Sequence, residues 1–261
     1  MTPPFGLDHL YEVLPFAALV AIPATVLLAY TIFGLTGFGS TIVAAPLLAQ
    51  FFPLRFVVPL QLLLDLSASL TLGSRVHARI NRREMAWLLP FMLAGIALGA
   101  TLLVNLPGRA LYFLLGAFVL VYGLLGLVGR APHGKFAQWW VAPAGVVGGV
   151  MSALFGTGGP VYVAYLASRI ADPAELRATI AAVVMLSALT RLIFFGAAGL
   201  LAQDGLIALA VLVLPLLAAG IWLGMHLHHR LRPVRVRQAV YALLIASGSA
   251  LLLRSLGAAA G

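Results

Sequence analysis

A chain of 261 residues that is 62% hydrophobic and 9% charged, with a mean hydropathy of +1.08, is not a water-soluble globular domain, in which about 25% of residues carry charge. The formal net charge of +9 does not indicate nucleic acid as a partner, because the cations gather in short loops between apolar runs, where they act as an orientation signal in membrane proteins. The chain contains no cysteine, which excludes disulfides, thiol catalysis and thiolate-held metals.

The first fifteen residues, MTPPFGLDHLYEVLP, lack a basic leader region and carry Asp8 and Glu12, so a cleaved signal peptide is not expected. Apolar segments 13–33 and 38–52 follow, separated by a glycine-rich break, and predict a helical hairpin over 13–52. Helices are expected over 55–74, 86–104 and 110–129. The pattern then recurs: segments 138–155 and 158–171 predict a second hairpin over 138–171, and helices are expected over 177–198, 205–225 and 238–254. A span needs roughly 20 apolar residues, so the reading is an all-α polytopic membrane protein of about eight to ten membrane segments.

The recurrence extends to the residues. FGLTGFGSTIVAAPLL (33–48) aligns with SALFGTGGPVYVAYLA (152–167), placing Gly37 on Gly156 and Gly39 on Gly158. LSASLTL (66–72) aligns with LSALTRL (186–192), and LLPFMLAGIALG (88–99) with VLPLLAAGIWLG (213–224), the latter pairing Gly95 with Gly220 and Gly99 with Gly224. Three blocks in one order predict a tandem duplication in one membrane domain, with a first repeat over 1–130 and a second over 138–254. The loops at 75–84, 129–135 and 226–237 are rich in arginine and are expected in the cytoplasm. The acidic N-terminus and the loops near 105–109 and 201–205 are expected outside, with both termini periplasmic. Each repeat then makes an odd number of crossings, so the two halves have opposite topology. Inverted repeats with glycine-interrupted segments at matching positions are the sequence pointer to a secondary-transporter site between the halves.

A helix starting at a glycine-rich break exposes backbone N–H groups at the positive end of its dipole, and glycine admits a ligand close to the backbone. This assigns substrate-binding roles to Gly37, Gly39, Ser40 and Thr41 at the first tip. At the second tip it assigns them to Gly156, Thr157, Gly158, Gly159 and the following Tyr162, with Pro160 suited to a first helical turn. No lysine followed by Ser or Thr completes a nucleotide P-loop. Ionisable groups within a span default to functional candidates. Arg191, in MLSALTRLIFFG, is assigned to the anion, and Asp65, with Gln61 one turn before it, to coupling. Ser69, Ser187 and Thr190 extend the polar stripes of these two helices, and Tyr165 follows the second tip. The paired glycines 95/99 and 220/224 read as helix packing. His226, His228 and His229 lie among arginines without a neighbouring Cys, Asp or Glu, so no metal or other cofactor is expected. No HExxH or GxSxG motif occurs, and no enzymatic activity is expected.

With these residues in place, the chain resembles the sulfite exporter TauE/SafE family, also called the toluene sulfonate uptake permease family. The resemblance rests on GLTGFGSTIVAAPLL, HARINRREMAWLLPFMLAGIALGATLL and GVVGGVMSALFGTGGPVYVAYLA. It implies a bacterial inner-membrane transporter of small sulfur-containing anions, such as sulfite or organosulfonates. Where the family pattern is richer in glycine after Gly39, this chain has Ser40 and Thr41. The expected function is movement of a small anion by alternating access between two opposed hairpin tips. The alternatives are a passive anion channel and a non-transporting assembly factor. The partners expected are the anion and the lipid bilayer, not nucleic acid, and a homo-oligomer is compatible with the sequence.

Overall fold

The computed structural model describes residues 16–36, 40–72, 80–128, 137–227 and 233–257. They form α1 (Phe16–Thr36), α2 (Ser40–Leu48), α3 (Leu54–Leu72), α4 (Arg82–Asn105) and α5 (Gly108–Leu127). A 3₁₀ turn at Gln138–Trp140 leads into α6 (Val141–Phe155), followed by α7 (Gly159–Arg169), α8 (Pro173–Ala197), α9 (Leu206–Leu227) and α10 (Pro233–Gly257). No strand occurs among the described residues.

Among the described residues six helical stretches are long and apolar enough to cross a bilayer: Arg82–Asn105, Gly108–Leu127, Gln138–Phe155, Pro173–Ala197, Leu206–Leu227 and Gln238–Leu256. The burial pattern is that of a multi-pass membrane protein. Ile193, Leu253 and Leu212 are exposed, as are all four tryptophans, while Gln61, Thr157, Ser187 and Arg191 are buried. In lipid, outward-facing apolar side chains cost nothing, and polar ones turn inward to find partners.

Helix ends depart from the hydropathy boundaries where capping chemistry intervenes. Asn81 accepts from the Glu84 N–H at 3.0 Å, so α4 begins at Arg82, ahead of the apolar run that starts at 86. Asp172 accepts from the Ala174 N–H at 3.0 Å and Pro173 opens α8, again before the expected start at 177. Side-chain caps set where the backbone turns helical, whereas hydropathy records where apolar side chains begin. The helices after the two breaks are short. The 9 residues of α2 and the 11 of α7 reach about 14 and 17 Å at 1.5 Å per residue, less than the roughly 30 Å hydrocarbon core.

The closest helix contacts run between the two halves of the chain, and they are reciprocal. On α4, Gly95 lies against the backbone of Val146 and Gly149 of α6, and Gly99 against Val150 and Ala153. On α9, Gly220 lies against Leu27 and Thr31 of α1, and Gly224 against Thr31 and Gly34. Each contact in one pair has its counterpart in the other, at the residues the internal alignment equates. The backbones meet so closely that a Cβ at Gly149 would sit 2.5 Å from the Met92 carbonyl oxygen, and one at Gly34 2.5 Å from that of Ile221. The remaining long helices, α5 and α10, pack on each other through Gly116 against Gly248 and Gly123 against Tyr241.

Polar side chains staple the ends of the bundle. At one end Glu84 accepts from the Tyr165 hydroxyl at 3.0 Å and from Arg169 Nε and Nη2 at 3.2 and 3.1 Å. Beside it, Asn81 Nδ2 donates to Glu175 at 2.9 Å, and the Asn81 N–H donates to Thr179 Oγ1, also at 2.9 Å. Elsewhere arginines cap the carbonyls that helix ends leave open. Arg55 donates to Leu103 and Leu106 at 3.1 and 2.9 Å, Arg254 to Ala49 and Gln50, both at 2.9 Å, and Arg109 to Ser255 at 2.9 Å.

Replacing Gly99 or Gly224 with Leu should destabilise the protein by roughly 1–3 kcal/mol, since an overpacked seam forces backbone shifts. Gly196→Ala, whose Cβ would meet nothing nearer than Leu201 at 3.8 Å, should leave the unfolding temperature nearly unchanged. Thermal unfolding of the three purified variants in detergent checks this.

Candidate functional site

The second break is built by α6, which ends in a left-handed residue. Gly156 has φ +72°, a conformation that costs other residues about 1–2 kcal/mol, and its N–H returns to the Ser152 carbonyl at 2.8 Å. That bond closes the helix and frees the chain to reverse. Thr157 and Gly158 follow, α7 starts at Gly159 with Pro160 in its first turn, and α7 folds back so that Tyr162 packs on Gly148 of α6. A Cβ at Gly158 would strike the Gly148 carbonyl oxygen, so glycine is required there by close approach. At Gly159 a Cβ would meet no heavy atom of the described residues within 4 Å.

The start of α2 meets the second break. A Cβ at Gly156 would collide with the Thr41 methyl, and Arg191 Nη1 would lie 3.4 Å from it. Thus the start of α2, the end of α6 and the middle of α8 converge at one point. Of the first break, Ser40 and Thr41 are described and buried, whereas Gly37 and Gly39 lie outside the described residues.

The hydroxyls of Ser40 and Thr41 donate to Asp65 of α3, at 3.0 and 2.7 Å. The Tyr30 hydroxyl of α1 adds a third hydrogen bond to the same carboxylate at 2.9 Å. Asp65, half-buried, therefore accepts from three O–H donors, one on α1 and two on α2. Gln61, one turn earlier on α3, is 1% exposed, and neither Oε1 nor Nε2 has a hydrogen-bond partner among the described residues.

Arg191 is 3% exposed, so it does not reach the membrane surface. Its Nη1 donates to the Ser152 carbonyl at 3.2 Å, and its Nε has no acceptor among the described residues. Arg191 and Asp65 do not pair directly, although each lies in the other's electrostatic field. Two further buried groups at the second break lack partners among the described residues: Thr157 Oγ1 and the Tyr162 hydroxyl. The Tyr162 hydroxyl lies beside Ser187, which is itself engaged with Ser152 Oγ at 2.7 Å.

The structure thus brings together Ser40, Thr41, Gly156 and Arg191, with Asp65 behind the first pair and Thr157, Gly158 and Tyr162 at the second break. Tyr165 is directed away to Glu84. Sequence reasoning missed Tyr30 and Ser152. Ser152 sits four residues before Gly156, where a helix-ending glycine finds its carbonyl partner, and that spacing was a usable signal. Tyr30 had none beyond being a phenol within an apolar helix. Among the described residues no group of three or more His, Asp or Glu side chains could hold a metal.

Comparison with known proteins gives a consistent answer. The family model described as Sulfite exporter TauE/SafE matches residues 22–251. The chain is 31% identical over 199 residues to the "Probable inner membrane transporter protein TsaS" of Comamonas testosteroni, covering 74% of this chain and 81% of that one. It is 26% identical over 171 residues to the "Probable sulfite/organosulfonate exporter TauE" of Cupriavidus necator, covering 64% and 66% respectively. No solved structure matches the chain.

Gly156→Ala should lower stability through backbone strain and the collision with the Thr41 methyl. Thr41→Ser removes that methyl and should recover part of the loss, giving a coupling of about 0.5–3 kcal/mol in a double-mutant thermal-unfolding cycle.

Proposed function

The chain belongs to the sulfite exporter TauE/SafE family of membrane transporters, and on that premise we propose that it moves a small sulfur oxyanion or organosulfonate across the inner membrane. The observation that carries this reading is the set of buried polar atoms at the second break: Arg191 Nε, Thr157 Oγ1 and the Tyr162 hydroxyl, none with a partner among the described residues. A buried donor left unmet costs about 1–3 kcal/mol, so these atoms favour a ligand that would meet them. All three can donate to oxygen, and one is a cation. The first turn of α7 adds little to them: Pro160 has no N–H, and the N–H groups of Val161 and Tyr162 both return to the Gly158 carbonyl at 3.2 Å, which leaves the Gly159 N–H as the backbone donor there. A tetrahedral oxyanion offers acceptors in several directions at once and suits such donors. Sulfonate or sulfite is the anion class named for the relative from Cupriavidus necator.

The transport cycle proposed is alternating access between inverted repeats. Its support is the reciprocal seam pattern, α4 on α6 and α9 on α1 at residues equated by the internal alignment, which is what a two-fold axis between the halves produces. Orientation follows from the arginine-rich loops, which place the Glu84–Arg169 end at the cytoplasm and both termini outside. Arg191 is the anion's counter-charge, and Asp65, with Gln61 beside it, is the candidate coupling group. No direction of transport is assigned.

In proteoliposomes, uptake of methanesulfonate or sulfite should saturate and show counterflow; flux that never saturates would instead assign a channel. Arg191→Ala should reduce anion affinity by roughly tenfold or more, since a charge-assisted hydrogen bond contributes about 1.5–3 kcal/mol. Tyr162→Phe is the sharper test. Removing an unpartnered hydroxyl should leave the unfolding temperature of the anion-free protein unchanged or raise it, yet weaken anion binding about fivefold to tenfold, as loss of one hydrogen bond of about 1 kcal/mol implies. Unchanged binding in both variants would remove the second break from the site.

A further inference from the structure

The charge inventory of the interior points beyond an anion site in general. On the described helices the charged side chains lie at the ends, with two exceptions: Asp65 in α3 and Arg191 in α8. They are not in contact, yet they are linked by the shortest path the tips allow. Asp65 is hydrogen-bonded to Thr41 at 2.7 Å, the Thr41 methyl abuts Gly156, and Gly156 adjoins Arg191 Nη1. The titratable and charged groups around this path are Tyr30 of α1, Tyr162 of α7 and Arg191 itself.

We propose that Asp65 is a specificity determinant, a resident negative charge that makes the site select monoanions over dianions. The inference rests on the anion site proposed above. The starts of α2 and α7 are not alike in what they offer. At α2 the two hydroxyls, Ser40 and Thr41, already spend their protons on Asp65, so the first break is neutralised by the protein's own carboxylate and turns hydroxyl lone pairs toward any second anion. At α7 the donors Thr157, Tyr162 and Arg191 Nε are unspent. The substrate is therefore held by the second break, and the first break supplies its negative neighbour. Arg191 balances one unit of substrate charge. A second unit has no further interior cation to meet among the described residues and faces Asp65 in a medium of low effective dielectric, where unit charges several ångströms apart still interact strongly. An R–SO₃⁻ group matches this balance; sulfate, of the same tetrahedral shape, does not.

The test is a binding titration of the purified full chain in detergent with sodium methanesulfonate and with sodium sulfate at constant ionic strength. It is read by thermal shift, because a ligand that binds the folded state raises apparent stability. The wild type should bind methanesulfonate at least about tenfold more tightly than sulfate, a difference of about 1.4 kcal/mol. Asp65→Asn, which keeps one acceptor oxygen for the Tyr30 and Ser40 hydroxyls, turns the other towards Thr41 into an N–H donor and removes the charge, should narrow that ratio to about threefold or less by strengthening sulfate. Asp65→Glu should preserve the ratio. Equal binding of the two anions by wild type overturns the proposal even if no variant folds, and so does a ratio unmoved in Asp65→Asn. If wild type binds neither anion, the anion site itself fails and this inference falls with it. Methanesulfonate binding without discrimination leaves the proposed function intact and sinks the role of Asp65 alone.

Discussion

A chain that leaves helical geometry inside hydrocarbon must find hydrogen-bond partners within the protein, because no water is there to supply them. That constraint organises this molecule. The start of α2 faces the break at the end of α6, with Thr41 against Gly156, so that break is walled by protein. The polar groups follow the same logic. Ser40, Thr41 and Tyr30 are satisfied by one carboxylate, and Ser152 and Ser187 satisfy each other. Against this thrift, the Gln61 amide, Thr157 Oγ1, the Tyr162 hydroxyl and Arg191 Nε stand out as buried polar groups with no partner among the described residues.

Much of this was legible because membrane sequences are governed by few rules. Long apolar runs must be helices, and the two interior charges, Asp65 and Arg191, could be picked out by eye because so few exist. The internal alignment equated Gly95 and Gly99 with Gly220 and Gly224, and these glycines lie in corresponding seams. What hydropathy could not convey was the action of single polar side chains. The cap at Asn81 draws the arginines at 82 and 83 into a helix, although their composition reads as loop. Tyr162 and Tyr165 stand three residues apart on α7 and look equivalent in sequence. One faces the break while the other is bound to Glu84, a partner 81 residues away that only the packing of α4 beside α7 brings near.

The same limit applies to the first break. Sequence placed Ser40 and Thr41 among the ligands because hydroxyls at a helix start are competent donors. Their engagement with Asp65 depends on α3 passing behind α2, a relation between helices that no local pattern encodes. Two segments with closely matched sequences thereby acquire different chemical characters: the hydroxyls at the start of α2 are engaged by the protein's own carboxylate, whereas Thr157 Oγ1 and the Tyr162 hydroxyl have no partner among the described residues.

The glycine seams also decide which parts of the molecule travel together. Where two backbones meet with no room for a methyl group, relative sliding would have to lift one helix off the other. The pairs α4–α6 and α9–α1 are accordingly rigid couples, and each couple draws one helix from either half of the chain. In the alternating-access cycle proposed above, the moving bodies would then be not the first and second halves of the chain but two hybrids, α4 with α6 and α9 with α1. Rocking one hybrid against the other would shear the contact between Thr41 and Gly156 at its centre, so the point where the breaks touch is also the natural fulcrum.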